Sequence, residues 1–243
     1  MLITAVIYAL AALPTFAILR ERAQPQAAAG GDSWRASFAR LGHTWHESRR
    51  LKDFGWLLAC GASYQAGITV VIALAAVYAE QVLGFQQSQT MLLVFLVNIA
   101  SAIGAFAFGY GQDRIGHRRA LALTLAGWIV MVVLAHLATD AFLFWCAAVV
   151  AGLCMGSSQS AGRALAGLLA PPARRAEFFA LWTFATRLAA VVGPVTYGLV
   201  SWMTAGNHRL AILSTGLFFV LGLLLLWPID VDRGARAAAL ESK

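Results

Sequence analysis

Charge is what this sequence has least of. Asp, Glu, Lys and Arg make up 12% of its 243 residues, about half the share usual in a water-soluble domain. An ordinary soluble fold is thereby excluded. Cysteine is scarce too: Cys60, Cys146 and Cys154 are the three present, all inside apolar runs and at no metal-ligand spacing, so they read as small core hydrophobes. No acidic residue stands near the middle of any apolar run, so a carboxylate proton carrier of the usual sort is missing. His43, His46, His117, His136 and His208 are scattered over loops and run ends. With no nucleophile beside a base and no phosphate-cradling glycine loop, the chain does not read as an enzyme, and no metal or other cofactor is expected.

What is there instead is hydrophobicity, at 60% of the residues. Apolar runs of about 18 residues or more match the ~30 Å hydrocarbon core of a bilayer. Seven candidate spans can be drawn, at 2–19, 54–78, 89–110, 120–138, 141–168, 177–203 and 209–227. The first has no basic leader and no small-residue cleavage site, so it reads as a true span, not a signal peptide. A chain that starts abruptly in a span looks cut from something longer. Lys and Arg outnumber acids 18 to 11, an excess that follows loop topology and does not point to nucleic acid. The segment 20–53, the loops 111–119 and 169–176, and the tail 228–243 hold nearly all of it, whereas Arg209 stands alone on the opposite side. The positive-inside rule then places the C-terminus in the cytoplasm.

Residues 20–53 form the one sizeable polar segment. Within it Trp34, Phe38, Leu41 and Trp45 recur at helical spacing among arginines, which predicts a basic amphipathic helix on the inner membrane surface. The six later spans divide into two sets of three, 54–138 and 141–227, that start on opposite sides. Such inverted three-span units are a building plan of secondary transporters. Gly152 with Gly156, and Ala100 with Gly104, are spaced to let helices approach closely.

Between the third and fourth spans lies "GYGQDRIGHRR", residues 109–119, a polar knot in an apolar chain. Its three glycines predict a tight turn, and Asp113 is placed to cap a helix N-terminus or pair with an arginine. The string resembles the loop signature of the major facilitator superfamily, read here as Gly109, Asp113, Arg114, Gly116, Arg118 and Arg119. His117 stands where that signature usually has its first basic residue. In that family the signature recurs between spans 2 and 3 and between spans 8 and 9. If this copy is the second, the spans are numbers 6 to 12 of twelve. A second stretch, Arg175, Glu177, Phe178, Phe179 and Leu181 followed by Gly193-Pro194, resembles the vacuole-effluxer and related bacterial permease branch.

The resemblance implies an all-α integral membrane protein of about seven transmembrane helices. Its six-helix C-terminal half of a major facilitator fold, residues 54–227, would follow one extra span at 1–19 and a linker at 20–53 carrying the amphipathic helix, with a cytoplasmic tail at 228–243. It implies solute transport by alternating access, with the knot as a conformational latch. Asp113 would hold and release a neighbour, the candidates being Arg163 and the start of the sixth span around Glu177.

Within the spans, Gln65, Asn98, Gln159 and Arg187 fall near mid-depth on four helices. An arginine there costs at least roughly 2.5–3.5 kcal/mol and should face a cavity or a partner. Arg187 is therefore the leading candidate for an anionic or amino-acid-like solute, or else a helix-stitching residue satisfied by Gln159. Thr183 lies one turn before it on the same face. Gly193 and Pro194 should kink their helix, as gating elements do and static membrane helices also do. The expected function is a permease or effluxer of a small solute in a bacterial cytoplasmic membrane, completed by a missing N-terminal half or by a homo-oligomer within the lipid bilayer. A non-transporting fragment or partner-dependent regulatory subunit is the alternative, and a muropeptide or peptide-fragment permease is an alternative substrate type.

Overall fold

The computed structural model describes residues 6, 10, 12, 13 and 51–241. Contacts divide the chain into two units, residues 1–39 and 40–243, and the architecture that follows is that of the second. The expected first span falls almost wholly, and the linker helix entirely, outside the described residues.

Six long helices carry the fold: α1 (Lys52–Leu83), α2 (Gln87–Ile115), α3 (His117–Leu137), α4 (Ala141–Leu169), α5 (Arg175–Met203) and α6 (His208–Leu226). A 3-10 turn, Pro172–Arg174, leads into α5, and a short helix α7 (Val231–Leu240) closes the described chain. All six are long and apolar enough to cross a membrane. Their ends are closed locally, as the lack of water in a bilayer demands. Asp140 accepts from the Leu143 amide at 2.8 Å and Asn207 from the Leu210 amide at 3.1 Å. Gly84, with φ of 68°, ends α1 in the left-handed conformation.

The helix ends depart from the expected spans in one place that matters. Where a loop was expected over 111–119, α2 runs on to Ile115 and α3 begins at His117, so Gly116, with φ of 88°, is the whole connection. Gly109 and Gly111 lie inside α2 with open space around them, and one residue of positive φ suffices to reverse the chain. The expected tight turn of three glycines is therefore a one-glycine corner.

The two three-helix sets interleave. α1 packs on α5 and α6, α4 packs on α2 and α3, and α3 meets α6. Exchanging α1 with α4, α2 with α5 and α3 with α6 maps this pattern onto itself, and because each set has three helices the second is inverted in the bilayer. Glycines set the closest approaches: a Cβ at Gly104 or Gly156 would meet backbone atoms of Leu153 or Ser101, and one at Gly193 would meet the Ala66 carbonyl. α5 continues through Pro194 as one helix, with Gly193 against α1. Trp128 stacks on Phe219 with centroids 5.0 Å apart in the core, and Ser63 Oγ donates to the Phe218 carbonyl at 2.7 Å. Trp202 and Trp227 stand exposed at helix ends, as interfacial anchors do.

Candidate solute cleft and charged helix ends

A cleft of about 470 Å³ opens between α1, α4 and α5, and its polar lining is Gln65, Thr69, Gln159, Arg163, Thr183, Thr186 and Arg187. Four of the five residues expected at a solute cavity, Gln65, Gln159, Thr183 and Arg187, thus share one space. The two amides meet across it, Gln159 Nε2 donating to Gln65 Oε1 at 3.4 Å. Trp182, Phe179 and Tyr64 form its apolar wall. Trp182 fits there because Gly61 on α1 and Gly162 on α4 carry no side chain, and Tyr64 Oη also lies against Gly162.

Arg187 follows Arg175, the first residue of α5, by 12 positions, which puts it about 18 Å along the helix at 1.5 Å per residue. That is roughly half of a ~30 Å hydrocarbon core. Neither it nor Arg163 makes an ion pair or hydrogen bond with any described residue. Among the described residues no carboxylate lines the cleft.

Asn98 is not part of it. Its Nδ2 donates to the Val94 carbonyl one turn back at 2.8 Å, and it borders a separate, apolar cavity of about 230 Å³ that α1, α2 and α4 also line. The small-residue face of α2 is committed to α4.

At the corner, Asp113 occupies the last turn of α2, exposed and unpaired with any described residue, and it caps no helix, since Gly116 precedes α3 without a side-chain cap. Carboxylates are disfavoured at a helix C-terminus, where the backbone presents unsatisfied carbonyls. Arg118 Nη2 donates to the Trp227 carbonyl at 2.7 Å, tying the start of α3 to the end of α6. Arg114 and Arg119 are exposed. The Asp113–Arg163 pair is not made in this conformation, because Arg163 points into the cleft, and Glu177 is engaged by Arg174 at 2.6 Å.

One charged contact had no signal in the sequence. Asp53, buried at the start of α1, takes a two-pronged bond from Arg233 (Nη2 at 2.6 Å, Nε at 2.9 Å) and one from the Asp230 amide at 2.8 Å. These bonds dock α7 against the starts of α1 and the end of α4, where Gly234 packs on Leu169 and Asp53. The hydrogen bond to Asp53 pushes the pKa of Arg233 above its ordinary value. The partners lie 180 positions apart, beyond any local pattern. At the opposite end Arg209 Nη2 donates to the Ala138 carbonyl at 2.9 Å. Among the described residues no group of three or more His, Cys, Asp or Glu is placed to hold a metal ion.

Over residues 1–239 the chain matches the family model described as "Vacuole effluxer Atg22 like". Autophagy-related protein 22-1 of Aspergillus niger is 28% identical over 95% of this chain and 41% of its own length. Autophagy-related protein 22 of Coccidioides immitis is 26% identical over 82% of this chain and 35% of its own. The chain spans about two-fifths of the length of such relatives. Two solved structures share its fold. They are the Escherichia coli fucose:proton symporter FucP (TM-score 0.69, 16% identity, 94% of this chain, 54% of that one) and a bacterial homolog of the human lysosomal transporter Spinster (0.61, 14%, 95% and 57%). The fold is that of about half of each of these two chains, and its six long apolar helices make the protein an integral membrane protein.

Proposed function

We propose, because the chain belongs to the vacuole effluxer Atg22-like family, that it is the C-terminal half of a secondary transporter that moves a small anionic solute by alternating access. The observation that carries this reading is the convergence of Arg187, Gln65, Gln159 and Thr183, from three helices, in one cleft at mid-depth. Solute sites in such folds lie near the bilayer midplane, between halves related by repeats. An arginine there without a carboxylate partner among the described residues is a costly feature that an anionic solute would offset.

The described Lys52, Arg114, Arg118, Arg119, Arg174, Arg175, Arg233 and Arg236 gather at one end of the bundle and Arg209 at the other. By the positive-inside rule the basic end faces the cytoplasm. Asp113 belongs to that end, on the helix terminus least suited to a carboxylate. Its pairing in a second conformation, with Arg163 or with a residue of the other half, would favour that conformation and so act as the latch.

The test is uptake of radiolabelled organic anions by the full-length protein in proteoliposomes. Arg187→Gln is expected to lower uptake at least tenfold, with the protein still folded and inserted. Unchanged uptake kinetics would remove Arg187 from the solute site.

A further inference from the structure

Arg163 has no use in the reading above other than as a partner for Asp113, yet the structure turns it into the cleft. We infer that Arg163 is a second cationic contact for the solute, and that the cleft is built for a dianion. This rests on the proposal that Arg187 binds an anionic solute.

The Gln159–Gln65 bond sets α4 and α1 level at that point. Arg163 stands four residues further along α4, about 6 Å nearer the basic end at 1.5 Å per residue. α1 and α5 run side by side in the same direction, with Gly61 at Trp182 and Ala66 at Gly193. Arg187 therefore comes opposite the 60–66 stretch of α1, the stretch that carries Gln65. The two arginines thus stand on different helices around one cleft, with the amide pair beside them. Among the described residues no acidic side chain lines the cleft they share.

Two guanidinium groups in a membrane cleft repel one another, and each carries a desolvation cost that an opposite charge offsets. A monoanion neutralises one and leaves the other uncompensated. A solute bearing two carboxylates on a short spacer meets both, each guanidinium offering a two-pronged match to one carboxylate.

The test uses the protein as its gene encodes it, in nanodiscs at pH 7 and fixed ionic strength. Equilibrium binding of radiolabelled succinate, the dianionic probe, is compared with that of butyrate, a monoanion of equal chain length. Succinate is expected to bind at least tenfold more tightly. Arg163→Gln should lower succinate affinity at least tenfold while leaving butyrate within about threefold, and Arg163→Lys, which keeps the charge but loses the two-pronged fork, should retain only part of the preference. Arg187→Gln should weaken both probes. An Arg163→Gln variant with an unchanged succinate-to-butyrate ratio, beside an Arg187→Gln variant that weakens both, overturns the dianion inference and leaves the Arg187 reading standing. Wild-type protein that binds neither probe, or an Arg187→Gln variant that changes neither, overturns both.

Discussion

Gly156→Ala tests whether the α2–α4 contact is as rigid as its geometry demands. An added Cβ would meet the Ser101 carbonyl oxygen, and would lie 2.8 Å from the Ala105 nitrogen and 3.0 Å from the Ser101 carbonyl carbon. Relaxed contacts between such atoms are about 3.5–4.0 Å. All three obstacles are backbone, so no rotamer change relieves them and the helices must part by roughly 1 Å. Parting also loosens the neighbouring approaches of Gly152 to Ala100 and of Gly104 to Leu153, which share the same face. Overpacking of a fitted core costs about 1–3 kcal/mol, and the upper half of that range applies where backbone meets backbone. The control is Gly109→Ala on the same helix pair. Gly109 lies inside α2 with nothing within 4 Å of an added Cβ. Relief of glycine's conformational freedom should there stabilise the helix by about 0.5–1 kcal/mol. The measurement is reversible unfolding in mixed micelles by denaturing-detergent titration, monitored by helical circular dichroism. Equal stability for the two variants, or a Gly156→Ala variant as stable as wild type, would refute rigid close packing.

Asp53→Asn keeps the shape of the side chain but removes the charge that Arg233 grips, so α7 should detach more often; limited trypsin digestion is expected to cut at Arg233 and Arg236 several-fold faster, and an unchanged rate would show that apolar packing of Gly234 and Ala238 alone holds the helix. Arg118→Gln removes the bond to the Trp227 carbonyl and should lower the unfolding free energy by about 0.5–1.5 kcal/mol, read in the same detergent titration. Asp113→Asn takes a carboxylate from a helix C-terminus, so stability should hold or rise by a few tenths of a kcal/mol, while proteoliposome uptake falls if the residue acts as the latch. Lower stability with unchanged uptake would make Asp113 a structural residue only.

The spans were legible because a bilayer imposes a length and an apolarity that a linear pattern records. All six described spans lie where hydropathy puts them, with ends differing by a few residues. The α2–α3 corner was misjudged for a local reason. Glycine signals a turn, but Gly109 and Gly111 sit in open helix, and only positive φ at Gly116 separates the two helices. The Asp53–Arg233 contact was invisible because nothing local links partners 180 positions apart in the sequence. Arg163 is different, since its signal was present: it follows Gln159 by four residues, which places the two on one helical face. Its nearness to the end of α4 drew attention to gating, and the face it shares with Gln159 would have pointed to the cleft.

Asn98 shows why depth alone misled. It stands 11 residues after Gln87, the start of α2, and Arg187 stands 12 after Arg175, the start of α5. Since the exchange of repeats maps α2 onto α5, the two residues occupy nearly equivalent places, and a count of depth put both in one cavity. The same exchange maps the helix set α1, α4, α5 onto α4, α1, α2, which are helices of the apolar cavity beside Asn98. The two cavities therefore share a symmetry-related set of three helices, while Met131 and Ala135 of α3 and Ile212 of α6 line the apolar one in addition. The apolar one is lined by the later part of α1 and the early parts of α2 and α4, the polar one by the middle of α1, the later part of α4 and the first half of α5, with Ile72 common to both. Duplication of a three-helix unit supplies the pair of hollows for nothing more than packing reasons. Their chemistry then diverges by side chain alone, two arginines and two amides in one, and Asn98 bonded to its own helix in the other. Symmetry of backbone with asymmetry of side chain is what gives one hollow its arginines and amides and leaves the other apolar.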